Sequence, residues 1–117
     1  MANMRMYEHK LRDYLINRVR NNTDLPTLIR RYSNIHFSMN CEKFNRPHFI
    51  IRMGISEAAF DIDTGIMLSG GLGPESNEIK NWINKFLKKS EIKAIWQTEN
   101  KNYLMIKERE NQNNEKE

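Results

Sequence analysis

The sequence predicts an α+β fold, in which a small antiparallel β-meander of about four strands is covered by C-terminal helices and carries an added N-terminal amphipathic helix. Three observations support this prediction. Apolar residues recur at i, i+3 and i+4 over residues 4–20, alternate with polar residues between residues 34 and 69, and return to helical spacing from residue 74 onward. The 117 residues provide for one domain with a single modest core.

The predicted organisation has three parts: an N-terminal helical extension (1–24), one α+β domain (25–107) and a disordered tail (108–117). The first helix has an apolar stripe of Met4, Tyr7, Leu11, Tyr14 and Leu15. This stripe either packs on the domain in cis or mediates self-association as a homodimer. Leu25-Pro26 predicts an extended connection after it. The run KERENQNNEKE, from Lys107 onward, has no apolar residue, and its composition is typical of disorder.

The register of the central hairpin follows from pairing apolar residues across it. A two-residue loop at Gly54-Ile55 sets Phe49 opposite Phe60 and Ile51 opposite Ala58 on the inward face. On the outward face the same register pairs side chains that suit each other electrostatically, namely Arg52 with Glu57 and His48 with Asp61.

The tripeptide Asp63-Thr64-Gly65 also carries the catalytic carboxylate of small dimeric aspartic proteases. We interpret it instead as a hairpin turn, because a three-residue loop pairs Ile62 with Ile66 and Phe60 with Leu68, and Gly65 lies where a positive φ is needed. The following stretch, Ser69-Gly70-Gly71-Leu72-Gly73, lacks the residues of a phosphate-binding loop and predicts a flexible link.

Two helices are predicted to cover the sheet. Pro74 suits the first position of one helix, whose apolar stripe contains Ile79, Trp82, Ile83, Phe86 and Leu87. Ser90 suits the cap of the next. The inward candidates of that helix are Ile92, Ile95, Trp96, Tyr103, Leu104 and Ile106.

Charge is distributed unevenly along the chain. Residues 1–53 contain ten Lys/Arg and four Asp/Glu, whereas residues 54–117 contain nine and eleven. A basic half indicates contact with an acidic partner protein or a nucleic acid, and the binding candidates are Arg12, Tyr14, Arg30, Arg31 and Arg46. We expect a cytoplasmic protein without a membrane segment, cofactor or metal, and the single cysteine, Cys41, excludes an intramolecular disulfide.

Several motifs in order resemble a small bacterial family, domain of unknown function 4160, over residues 25 to 100. They are Pro26-Thr27, Arg46-Pro47-His48-Phe49, the run from Glu57 to Gly65, the Gly71-Leu72 turn and Trp82. The family marker is a Pro-Pro-His-Phe-His run with another His upstream. The resemblance implies a partner-binding or growth-regulating role in a toxin–antitoxin-like or phage/host-defence module.

This chain departs from the family marker at three positions. Arg46 replaces the first Pro, Ile50 the second His and Phe44 the upstream His, so only His48 of the histidines remains. We do not expect His36, Cys41 and His48 to form a metal-ligand set, because the strand alternation separates the two histidines.

Two functions from different classes remain open. We favour an interaction module that is not an enzyme, because a small sheet with a basic amphipathic helix offers surfaces for a partner protein. The alternative is a metal-independent ribonuclease in which His48 acts as acid or base, Asp61 orients it, and Arg52 on the same strand stabilises phosphate charge.

Overall fold

The computed structural model describes residues 3–115 of the chain, with side chains to residue 111, and it confirms the predicted α+β class with a four-stranded antiparallel meander. The strands are paired in the order β1-β2-β3-β4. In chain order the elements are α1 (Met4–Arg18), α2 (Leu25–Ser33), β1 (Ile35–Ser38), β2 (His48–Met53), β3 (Ser56–Asp61), β4 (Met67–Gly71), a 3-10 turn (Gly73–Glu75), α3 (Ser76–Phe86) and α4 (Lys89–Glu115). No helix in this described part is both long and apolar enough to cross a membrane.

The register predicted for the β2–β3 hairpin is confirmed. Phe49 lies opposite Phe60, and Ile51 lies opposite Ala58, with all four side chains buried. Gly54 provides the positive φ of 63° at the start of the two-residue loop, a conformation that costs glycine little. The turn and the apolar alternation therefore specify the same pairing.

The register predicted for the next hairpin is wrong at its closed end. Ala59 pairs with Ser69 as expected, but Phe60 then pairs with Met67 because a bulge at Leu68 adds one residue to β4. Ile62 turns into the core instead of pairing with Ile66, which is 63% exposed. Gly65 has the expected positive φ, of 74°.

The N-terminal helix packs in cis. Asn3 caps it by accepting a hydrogen bond from the Met6 N–H (2.9 Å), and the helix contacts β1, α2 and α3. Tyr7 and Leu11 are buried in the same core as the sheet residues. The Tyr7 hydroxyl also donates to Glu91 on α4 (2.7 Å). The pKa of Tyr7 is raised to about 12, mainly by burial of the hydroxyl. The hydrogen bond to Glu91 and the charge of that carboxylate act in the same direction.

The extended connection predicted at Leu25-Pro26 is wrong, because these residues begin helix α2. Proline is tolerated in the first helical turn, where its missing N–H would have had no partner within the helix. Leu25-Pro26 therefore has the pattern of a helix start as well as that of an extended segment. The buried Tyr32 anchors α2 to the domain.

The C-terminal helices cover the sheet with a narrower apolar face than the sequence indicates. Ile79, Trp82 and Ile83 are buried as predicted, whereas Phe86 is 50% exposed. On α4, Ile92 is buried, but Leu104 and Ile106 are exposed. The helix continues to Glu115, through residues whose composition predicts disorder, and the last two residues of that predicted tail lie outside the described part.

The flexible link predicted at Ser69–Gly73 is instead partly strand, and Gly70 is its most constrained residue. Gly70 has a φ of 78°, and a Cβ built on it would lie 2.0 Å from the carbonyl oxygen of Glu57 on β3. We expect Gly70→Ala to lower the free energy of unfolding by more than about 2 kcal/mol, because a left-handed alanine costs about 1–2 kcal/mol before the overlap is relieved. Urea unfolding of the purified protein measures this change.

Two other glycines provide matched controls for this substitution. A Cβ on Gly71 meets nothing within 4 Å, so Gly71→Ala should change stability by less than about 0.5 kcal/mol. Gly54 has open space but a positive φ, so Gly54→Ala should cost about 1 kcal/mol. Equal losses for Gly70→Ala and Gly71→Ala would contradict the close approach of β4 to β3.

Candidate functional site

His48 lies at the start of β2 under the loop that joins β1 to β2, and it is fully buried. Its Nδ1 lies 2.8 Å from the carbonyl oxygen of Arg46, and its Nε2 accepts a hydrogen bond from the Asn40 N–H (2.8 Å). This arrangement defines a neutral imidazole protonated on Nδ1. The Phe44 ring covers it, with the ring centroids 5.0 Å apart.

Asp61 holds the other end of the same loop. Its Oδ2 pairs with the Arg46 guanidinium (2.6 Å), and its Oδ1 accepts a hydrogen bond from the Thr64 N–H (2.9 Å). Burial opposes ionisation of this carboxyl, but the Thr64 hydrogen bonds and the Arg46 charge outweigh it and lower the Asp61 pKa. Asp61 thus ties the β1–β2 loop to the β3–β4 turn.

The structure does not assemble the ribonuclease site predicted from His48, Asp61 and Arg52. His48 and Asp61 face each other in the strand register, but both ring nitrogens of His48 are engaged by backbone atoms and neither is exposed. Arg52 is four residues further along β2, about 13 Å away at the rise of a strand. His48 and Asp61 therefore hold loops in place, and Arg52 lies exposed opposite Glu57.

The basic binding candidates are distributed over α1, α2 and the β1–β2 loop. Arg31 on α2 makes two hydrogen bonds with the buried Glu75 (2.9 and 3.0 Å), and Arg46 is paired with Asp61. Arg30 is exposed on α2. Arg12 on α1 lies 3.8 Å from Asp13, an ordinary surface ion pair. Two of the four arginines thus have a structural partner.

Among the described residues, no group of three or more His, Cys, Asp or Glu side chains is arranged to hold a metal ion. His36 is on β1 and exposed, and His48 is buried with both nitrogens in use. Cys41 is half-buried in the β1–β2 loop, and burial raises its thiol pKa, which disfavours the thiolate that metals prefer.

A concave apolar groove lies between α1 and α3, beside the predicted binding residue Tyr14. It has a volume of ≈ 500 Å³, and we call it the α1/α3 groove. The rings of Tyr14 and Phe86 line it, 5.7 Å apart and tilted by 57°. The residues that form it are Lys10, Tyr14, Trp82, Lys85, Phe86, Leu87 and Lys88.

Every charged residue that lines the α1/α3 groove is a lysine. Lys10 comes from α1, Lys85 from the end of α3 and Lys88 from the link to α4. All three are exposed. Lys88 lies 3.8 Å from Glu91, while Lys10 and Lys85 have no ion-pair partner within residues 3–111. The groove therefore combines an aromatic floor with a cationic rim.

Sequence reasoning identified Tyr14 but missed the rest of the groove. It placed Phe86 in the core stripe of the helix. The helical periodicity gave no signal of its exposure, because at about 100° per residue Phe86 lies between Trp82 and Ile83 on the buried stripe. Phe86 differs from them in being the last residue of α3.

The fold and the site together define a small α+β meander protein with a lysine-rimmed aromatic groove between two helices. Comparison of the chain with protein-family models, with curated proteins and with solved structures finds no match. The resemblance to the family described above thus stays a prediction.

The burial of neutral His48 makes stability depend on pH. Burial lowers the His48 pKa from 6.5, with the Arg46 hydrogen bond acting in the opposite direction. As the pH falls below 6.5, the unfolded chain takes up a proton that the folded protein resists, so the free energy of unfolding should fall as well. Urea unfolding from about pH 7.5 to about pH 5 measures this slope.

The slope can be assigned to His48 by substitution. His48→Gln should flatten it, and His36→Gln, which changes an exposed histidine on the neighbouring strand, should leave it intact. Asp61 does not affect the slope in this pH range. Its contribution to the free energy of unfolding is fully present above the pKa of 3.8 that it has in the unfolded chain, and this contribution is lost only as the pH falls through the lowered pKa of the folded protein. An unchanged slope in His48→Gln would disprove the assignment.

Proposed function

We propose that the protein is a non-enzymatic interaction protein, and that it acts by binding a partner protein through the α1/α3 groove. The observation that carries this proposal is the half-exposed Phe86 beside Tyr14, with a rim of three lysines. An exposed aromatic side chain in a concave apolar surface is the usual anchor of a protein interface.

The energetics of the groove support binding. Phe86 is on a helix end and is 50% exposed, although the rest of its helix buries its large apolar side chains. Covering such a ring removes apolar surface from water and stabilises a complex by about 1–2 kcal/mol. Tyr14 presents a ring and a hydroxyl side by side, which suits an interface that is apolar at its centre and polar at its edge.

The fixed geometry of the groove also supports this function. The buried Trp82 and Leu87 form its floor, and α1 is held on the domain by the core contacts of Tyr7 and Leu11. A surface on two helices that are anchored in one core loses little entropy on binding. The toxin–antitoxin-like or host-defence setting that the family resemblance implies would provide a partner protein for such a surface.

The proposal predicts that partner contact is local to Phe86. Two variants carry the photo-crosslinking amino acid p-benzoylphenylalanine, one in place of Phe86 and one in place of Ile55 of the β2–β3 loop. Ile55 is fully exposed and provides the control position. Both variants are expressed in the native host. A protein partner should be captured at position 86 and not at 55. Mass spectrometry identifies it, and nuclease treatment of the sample distinguishes a protein from a nucleic acid.

The affinity of that partner then tests the groove directly. Phe86→Glu should weaken binding by about 2 kcal/mol, or about 30-fold, as expected for loss of a central aromatic anchor. Ile55→Glu makes the same change on an exposed apolar residue elsewhere, and it should leave the affinity unchanged. Equal crosslinking at both positions, or equal affinity of both variants, would exclude the groove as the binding site.

A further inference from the structure

We infer that the occupant of the α1/α3 groove is an acidic amphipathic helix of the partner protein. This inference rests on the proposed function and adds the chemistry and shape of the bound segment. It follows from two independent features of the groove: the sign of the charges on its rim and the arrangement of the two helices that form it.

The charges around the groove select an acidic segment. Lys10 and Lys85 have no ion-pair partner within the described residues, and Lys88 is only loosely associated with Glu91, at 3.8 Å. None of the residues lining the groove is acidic. Carboxylates placed beside an apolar anchor would therefore meet three ammonium groups, and complementary charge of this kind gives both specificity and faster association.

The shape of the groove selects a helix. Its walls are the side chains of two neighbouring helices, with Tyr14 on α1 and Phe86 on the last residue of α3. A third helix can lie in such a groove with its apolar side chains at i, i+3, i+4 and i+7 packed on the two aromatic rings, which contact each other. Because the lining is apolar apart from the lysines and the Tyr14 hydroxyl, it offers few groups for the backbone of an extended segment.

A peptide selection tests the inference with the full-length protein as bait. A displayed library of random peptides about 16 residues long is selected on the wild-type protein, with counter-selection on Phe86→Glu. We expect enriched sequences that combine several Asp or Glu residues with Phe, Trp or Leu at helical spacing. Circular dichroism of the synthetic peptides with and without protein should show helix formation on binding.

Charge reversal tests the role of the lysine rim. The triple variant Lys10→Glu, Lys85→Glu, Lys88→Glu should bind an enriched peptide at least about tenfold more weakly, and high salt should weaken the wild-type complex. The control Lys101→Glu, Lys107→Glu, Arg109→Glu makes the same change in net charge on the distal part of α4, and it should retain binding. Each variant is checked for folding by its unfolding transition.

Each outcome tests a different feature of the groove. Peptides that need Phe86 but are neutral or basic would overturn the charge inference and leave the groove as the binding site. Acidic peptides whose apolar residues lack helical spacing would overturn the inference that the bound segment is a helix. Binding of a single-stranded oligonucleotide, or of a second copy of the chain, at the lysine rim would overturn the inference. The occupant of the groove would then be a nucleic acid or another copy of this protein. A selection with no enrichment, or with enrichment that persists on Phe86→Glu, would contradict the proposed function itself.

Discussion

The structure depends on an aromatic cluster that joins the N-terminal helix, the sheet and α3. Phe37 on β1 stacks on Phe49 (6.0 Å between ring centroids) and meets the edge of Trp82 (5.9 Å), while Tyr7 packs against both Phe37 and Trp82. Edge-to-face and offset contacts of this kind stabilise beyond simple burial of area. The cluster makes α1 an integral part of the core, although sequence alone leaves it as an extension.

One member of this cluster also contributes to the candidate binding surface. Trp82 is part of the core and lines the α1/α3 groove. The rings of Tyr14 on α1 and Phe86 on α3 lie 5.7 Å apart beside it. The groove is therefore continuous with the core that holds the two helices in place.

Polar contacts on the other face of the sheet fix the loops. His48 is held by Asn40 and Arg46, and Asp61 by Arg46 and Thr64, so that the β1–β2 loop lies over the sheet and shields Ile50 and Ala59. A buried imidazole costs little when both nitrogens are hydrogen-bonded. His48 and Asp61, which the sequence indicated as an acid–base pair, thus hold loops in place, and the α1/α3 groove on the surface is aromatic and lysine-rich.

The sequence by itself determined the strands, the register of the β2–β3 hairpin and the positive-φ turns at Gly54 and Gly65, because these follow from local alternation and from backbone sterics. Only the tertiary structure decided that His48 is buried, that Phe86 is exposed and that a bulge at Leu68 shifts the last strand pair. The periodicity of apolar residues in a strand or a helix indicates which residues share a face. Whether another element covers that face depends on contacts between residues far apart in the chain, such as Tyr7 with Trp82.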